Sequence, residues 1–306
     1  MGKNYIAALK AEARSPDEHG VLKIEVATLT RMKHCKHVIR LIESGYRGKY
    51  NYMVMTLCGK DLFSLKHQCK EGFCENTLVR IGVHALYAIK QVHEMGFIHR
   101  DVKPGNMMNG YMGRDKRMFF LIDYGMTRSF VMRTGKQVVI REPRRSILLR
   151  GTLRYCSLNV HDRKEQGRVD DLWAMLYMLV ELYVGLQWHK KDEQEIIHQK
   201  RTTPDKVLFN ECPPEFIDLA VYLRTLSYAN RPDYYKIYEL LMATMRREGY
   251  SFQDKYDWED GDRPDPECQT AIEEESERRK KKDSTSDFLL YPCADPKYFK
   301  EQILPI

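Results

Sequence analysis

The 306-residue sequence predicts an α+β protein with a few strands in a small N-terminal part and a larger, mainly helical C-terminal part. Three observations predict it. Short apolar runs bounded by turn formers occur upstream of Gly59, the pattern of strands and a hairpin. Longer stretches downstream place apolar residues at helical spacing. One of them, Leu172 to Trp188, is apolar on nearly every face, as in a helix buried in a large core. It carries Glu181 and is short for a membrane span. Apolar content of 43% and charged content of 30% are ordinary for a folded soluble domain.

In chain order, Tyr5 to Glu12 reads YIAALKAE, a short strand with Lys10 near its end. Ser15 to Gly20 is loop. Val21 to Met32 repeats apolar residues at helical intervals and contains Glu25. His37 to Glu43 and Asn51 to Leu57 are strand-like, and Gly45-Tyr46-Arg47-Gly48 between them signals a hairpin. Asp61 to Glu71 and Leu78 to Gly96 read as helices. The second leads into the chemically richest stretch, Ile98 to Gly125.

That stretch opens with His99-Arg100-Asp101, continues with Lys103-Pro104 and places Asn106 after four intervening residues; Asp123-Tyr124-Gly125 follows an apolar run. The chemistry it suggests is phosphoryl transfer from ATP, which needs a carboxylate near the attacking hydroxyl, oxygen ligands for Mg²⁺ and a cation on the phosphate. Asp101 suits the first role, Asn106 and Asp123 the second, and Lys103 the third.

The stretch resembles the catalytic and metal-binding loops of protein kinases, H-R-D-x-x-x-x-N and D-F-G. The resemblance implies a two-lobed kinase fold with a truncated small-lobe sheet of about three strands and a mainly helical large lobe. Residues 1–58 would form the small lobe, 59–260 the large lobe and 261–306 a charged tail. It makes Lys10 the strand lysine on the ATP phosphates and Glu25 its helix partner. Met55 would stand as gatekeeper, and Thr56 to Cys58 would offer backbone groups to adenine. GTLRYCSLN, residues 151–159, resembles the Ser-x-Asn version of this region in the casein kinase 1 group. YNYMVMTLCGKDL (50–62), PPEF (213–216) and YDWED (256–260) are most similar to its tau-tubulin kinase branch. Within that resemblance, Thr152 joins the catalytic set of a serine/threonine enzyme, and Arg154 resembles the group's anion-site arginine. Two departures stand out. Tyr124 replaces the usual Phe and needs a partner for its hydroxyl. Only nine residues precede Lys10, too few for the two strands and glycine-rich loop that cover the ATP phosphates in kinases. The implied function is a protein serine/threonine kinase; the alternative is a pseudokinase that keeps the fold as a binding module.

The net charge of +7 is concentrated. Between Tyr124 and Cys156 stand eight basic residues against one acid, Glu142, a local surplus equal to that of the whole chain. Such a surplus beside the site suggests acidic or phosphorylated protein substrates, with a flexible solubilising loop as the alternative. Nucleic acid and membrane are not expected as partners. The first residues show no secretory apolar region, so the expected compartment is the cytoplasm, the nucleus or both. The eight cysteines form no C-x-x-C pair, and no second pair completes a zinc set with Cys69 and Cys74. Glu273–Glu275 and Arg278–Lys282 form a charged block expected to be mobile or a solvated helix. Phe288 to Ile306 regains aromatics and is expected to dock back on the domain.

Overall fold

The computed structural model describes residues 6–14, 20–135, 137–188, 191–260, 291–304 and 306. The N-terminal part holds β1 (Ala7–Ala13), α1 (Val21–Arg31), β2 (Leu41–Arg47) and β3 (Tyr50–Thr56). The strands form an antiparallel sheet in the order β1-β3-β2, with Lys10 opposite the fully buried Met53. The Glu12 carboxylate at the end of β1 accepts hydrogen bonds from the Val21 and Leu22 N–H groups (3.1 and 3.2 Å). It thereby satisfies two of the four free donors that open α1. Leu22, Glu25, Thr28 and Leu29 make the helix's buried face.

The hairpin is tighter than the sequence suggests. Gly45, Tyr46 and Arg47 continue the ladder opposite Tyr52, Asn51 and Tyr50, and the chain reverses at Gly48-Lys49. The stretch before β2 is not sheet. The His37 ring bonds the Phe119 carbonyl (2.9 Å) and Val38 bridges Leu121, so these residues belong to the junction with the C-terminal part.

That part begins with β4 (Cys58–Asp61) and α2 (Leu62–Gln68), whose N-terminal N–H groups are capped by the Asp61 carboxylate. α3 (Glu75–Glu94) is buried along most of its length. β5 (Phe97–Ile98), β6 (Met107–Gly110), β7 (Phe119–Leu121) and β8 (Arg128–Ser129) follow. β5 pairs with β8, Phe97 opposite Ser129 and Ile98 opposite Arg128, so the two ends of the 98–125 stretch are tied together. β9 (Val131–Thr134) and β10 (Gln137–Ile140) form a hairpin inside the basic segment that the sequence reading did not anticipate.

α4 (Leu158–His161), α5 (Arg168–Tyr183), α6 (Glu193–Thr202), α7 (Asp205–Leu208), α8 (Glu215–Arg224) and α9 (Tyr234–Glu248) complete the helical part. α5 is the core helix the sequence predicts, and of its sixteen residues only Trp173 and Tyr183 are not buried. Among the described residues no helix is long and apolar enough to cross a membrane. The charged block at 273–282 lies outside the described residues.

The C-terminal residues pack back as expected, through α10 (Lys297–Lys300) and its flanks. Phe299 is buried and stacks on Tyr238 with ring centres 4.4 Å apart. The Ile303 and Leu304 N–H groups donate to the Glu94 carboxylate (2.9 and 2.7 Å), and Lys90 donates to the Glu301 carbonyl (2.8 Å). Phe299→Ala is expected to cost about 3 kcal/mol. Urea unfolding and proteolysis of residues 291–306 will read that loss, whereas Ile303→Ala, at an exposed side chain, should fall within about 0.5 kcal/mol of wild type.

Candidate active site

Lys10 links three elements. Its ammonium on β1 donates to Glu25 Oε2 on α1 (2.7 Å) and to Asp123 Oδ1 after β7 (3.1 Å). Glu25 is buried, and its other oxygen accepts the Tyr124 N–H (3.2 Å). Burial alone would lower the Lys10 pKa, but the Glu25 hydrogen bond and charge, with Asp123 behind them, hold it above its ordinary value. Burial would likewise raise the Asp123 carboxyl, and the Lys10 ammonium overrides it and holds it below the usual range. The pair therefore stays ionised across the neutral range.

Asp123 has φ +63°, a left-handed backbone that Asp tolerates better than most residues. Gly125 follows for a steric reason: a Cβ there would lie 2.3 Å from Val21 Cγ1, so only glycine lets α1 approach this closely. Between them Tyr124 is fully buried, edge-on to the His99 ring with centres 5.2 Å apart. Its hydroxyl donates to the Leu121 carbonyl (2.9 Å), the partner that a Tyr in place of Phe requires.

A second cluster centres on Asp101. Oδ1 accepts the Thr152 hydroxyl (2.7 Å); Oδ2 accepts Lys103 Nζ (2.7 Å) and Asn106 Nδ2 (3.1 Å). Lys103 and Thr152 are themselves 3.3 Å apart. Asn106 spends its amide nitrogen on Asp101, which leaves the amide oxygen to act as an acceptor. The Ile122 N–H donates to the Asn106 carbonyl (2.9 Å) and sets the Asn106 and Asp123 loops side by side. An amide oxygen and a carboxylate, both hard donors, fit a small divalent cation. All of Asp101, Lys103, Asn106, Thr152, Lys10, Glu25 and Asp123 thus come together from the pattern the sequence displays.

The support for this cluster lies far away in sequence. Asp171, buried at the start of α5, accepts the His99 and Arg100 N–H groups (2.7 and 2.8 Å) and His93 Nε2 (2.9 Å). Burial pushes its pKa up, and the His93 bond and charge and the His99 N–H reverse that, so it stays below the ordinary value. These bonds hold Arg100 in a left-handed conformation, φ +71°. Gly151, φ +109°, approaches the Arg100 carbonyl so closely that a Cβ would lie 2.5 Å from it. That contact seats Thr152 against Asp101. No local spacing connects Asp171 to residues some seventy positions upstream, so the sequence alone does not mark it.

The other expected site residues already have neighbours of their own. The Thr56 N–H is already taken by the Arg40 carbonyl (3.0 Å), so Thr56 brings no backbone donor to a base. Met55 stands in the ladder opposite Ala8 and Leu41, and burial pushes the Cys58 thiol up to about 11. Arg154, expected at an anion site, already has a carboxylate partner. It pairs with Glu181 of α5 (3.1 Å), a carboxylate whose side chain is only 9% exposed and needs a cation. The basic segment is also less charged than its own residues imply, because Glu165 takes Arg144 through both carboxylate oxygens and has Arg128 at 3.6 Å.

Residues 2–240 match the protein kinase domain family. A Caenorhabditis elegans protein bearing a serine/threonine-protein kinase name is 41% identical over 270 residues, covering 88% of this chain and 78% of that protein. A Dictyostelium discoideum protein with a similar name is 38% identical over 84% of this chain, which spans only 53% of that relative. An inactive tau-tubulin kinase of C. elegans is 34% identical over 79% of this chain and 87% of its own length. With a family match over most of its length and the two-lobed α+β architecture around the Lys10 and Asp101 clusters, the chain belongs to the protein kinase family.

Proposed function

We propose that the chain is an ATP- and Mg²⁺-dependent serine/threonine protein kinase of the casein kinase 1 group, nearest its tau-tubulin kinase branch. The observation that carries this reading is the Asp101 carboxylate, held at once by Lys103, Thr152 and Asn106. Asp101 orients the substrate hydroxyl and accepts its proton as the oxygen attacks the γ-phosphorus, whose bond to the β–γ bridging oxygen breaks so that ADP leaves. Lys103, already within reach of Asp101, carries positive charge to the transferring phosphoryl group. Asn106 and Asp123 would hold Mg²⁺, which would supply charge to offset that building on the phosphate oxygens. Lys10, aligned by Glu25, positions the α- and β-phosphates. A second reading, a binding module without turnover, draws on the relative named inactive. Phosphotransfer by the purified chain decides between them.

Asp101→Asn and Asp123→Asn are near-isosteric. Each is expected to lower kcat by at least about 10²-fold while circular dichroism and the thermal midpoint stay near wild type. Full activity in either variant, with contaminating kinase excluded, would sink the assignment.

We also propose that acidic or phosphorylated substrates are preferred. With Arg128, Arg144 and Arg154 engaged by Glu165 and Glu181, the exposed Arg145 and Arg150 carry the attraction. A phosphorylated peptide should show a higher kcat/KM than its unphosphorylated twin, and the Arg145→Ala/Arg150→Ala double variant should narrow the gap. The preference should fade with added salt, since exposed charges are screened within about 8 Å at physiological ionic strength. Equal rates for both peptides in the wild type would refute it.

A further inference from the structure

His37, His84 and Cys293 meet in the interior, far from one another in sequence and outside the candidate active site. Their ligand atoms all lie within 4.8 Å of one another, and all three residues are buried. Cys293 Sγ is 3.3 Å from His84 Nδ1 and 3.7 Å from its Nε2. His37 Nδ1 bonds the Phe119 carbonyl (2.9 Å). A carbonyl only accepts, so Nδ1 carries the proton and Nε2 is left with a bare lone pair. That nitrogen is buried and has no hydrogen-bond partner among the described residues. An orphaned buried acceptor is costly. A ring that donates its other N–H to a backbone carbonyl is also how metal-ligating histidines are commonly oriented.

From this geometry we propose that His37, His84 and Cys293 form a binding site for a soft d¹⁰ cation, Cu⁺ ahead of Zn²⁺. Two imidazoles and a thiolate are soft-to-borderline donors and suit such ions, not Mg²⁺ or Ca²⁺. Ligand atoms on one ion at about 2.0–2.3 Å need come no more than about an ångström or so closer than they stand. Charge selects between the ions. Binding releases the Cys293 proton, so Cu⁺ leaves the site neutral and Zn²⁺ leaves it positive. The Arg80 and Arg117 guanidiniums already act on His84, which makes added positive charge unfavourable. Three ligands also satisfy Cu⁺, whereas Zn²⁺ prefers four.

Occupancy would staple three segments: the junction between α1 and β2 through His37, α3 through His84, and the docked C-terminal segment through Cys293. The site does not depend on the kinase reading, so its test reads metal rather than phosphotransfer. The full chain, reduced and metal-free, is titrated with Cu⁺ against a competing chelator and, separately, with Zn²⁺. X-ray absorption is then recorded on the loaded wild type. The expected result is one equivalent bound, with one sulfur and two imidazole nitrogens around the ion. Affinity should fall at least about 10-fold in Cys293→Ser and in His84→Gln, with circular dichroism confirming that both variants fold. Zn²⁺ binding with the same ligands and the same dependence on the variants would also support the site. Failure of the folded wild type to bind either ion at one equivalent, a coordination shell without sulfur, or affinity unchanged in both variants would overturn it.

Discussion

One buried carboxylate fixes the geometry on which the site depends. Asp171 stands at the start of α5, and an ionised group at that depth persists only if its oxygens are well satisfied. Two of its three donors are backbone N–H groups, those of His99 and Arg100. The core helix therefore dictates the backbone of the loop before Asp101, including the left-handed turn at Arg100. The neighbouring Asp170 shows how particular this balance is. It too is buried and hydrogen-bonded, yet burial outweighs its bonds to Gly167, Ser157 and Asn159 and raises it to about 6.

The small sheet is coupled to this rigid base through charge and close contact. Glu25 receives Lys10 on one oxygen and the Tyr124 N–H on the other, so α1 cannot swing away without breaking both bonds. Gly125 permits the approach, and the His99–Tyr124 ring pair carries the contact into the catalytic loop. Of the two contacts Lys10 makes, the one to Glu25 ends on a buried acid. The one to Asp123 joins side chains 38% and 43% exposed, where solvent screens the attraction. The first reads as structural, and the second is the weaker of the two.

The basic segment shows why local charge counts mislead. Its residues carry a surplus equal to the chain's whole net charge, but Glu165 and Glu181 reach in from outside it and neutralise part of that surplus. Glu165 is itself buried and held below the ordinary range: burial pushes it up, and Arg144 and Arg128 more than reverse that. The segment is thereby pinned to the helical part, and Gly151 and Thr152 are delivered to the Asp101 loop.

By itself the sequence determined the candidate site residues and their order, because loops of this kind place different side-chain types at short fixed spacing. Asp101, Lys103, Asn106 and Asp123 were legible for that reason. Lys10 and Glu25 were legible only as one strand residue and one helix residue in the right order. The core helix was legible from its continuous apolar run. What the tertiary structure alone decided are interactions between residues distant along the chain. Asp171 beneath the loop, Glu181 against Arg154, Arg40 against Thr56, and the meeting of His37, His84 and Cys293 leave no periodic or local signal. Their partners are chosen by how helices and strands pack, and burial then decides which charges must be paired.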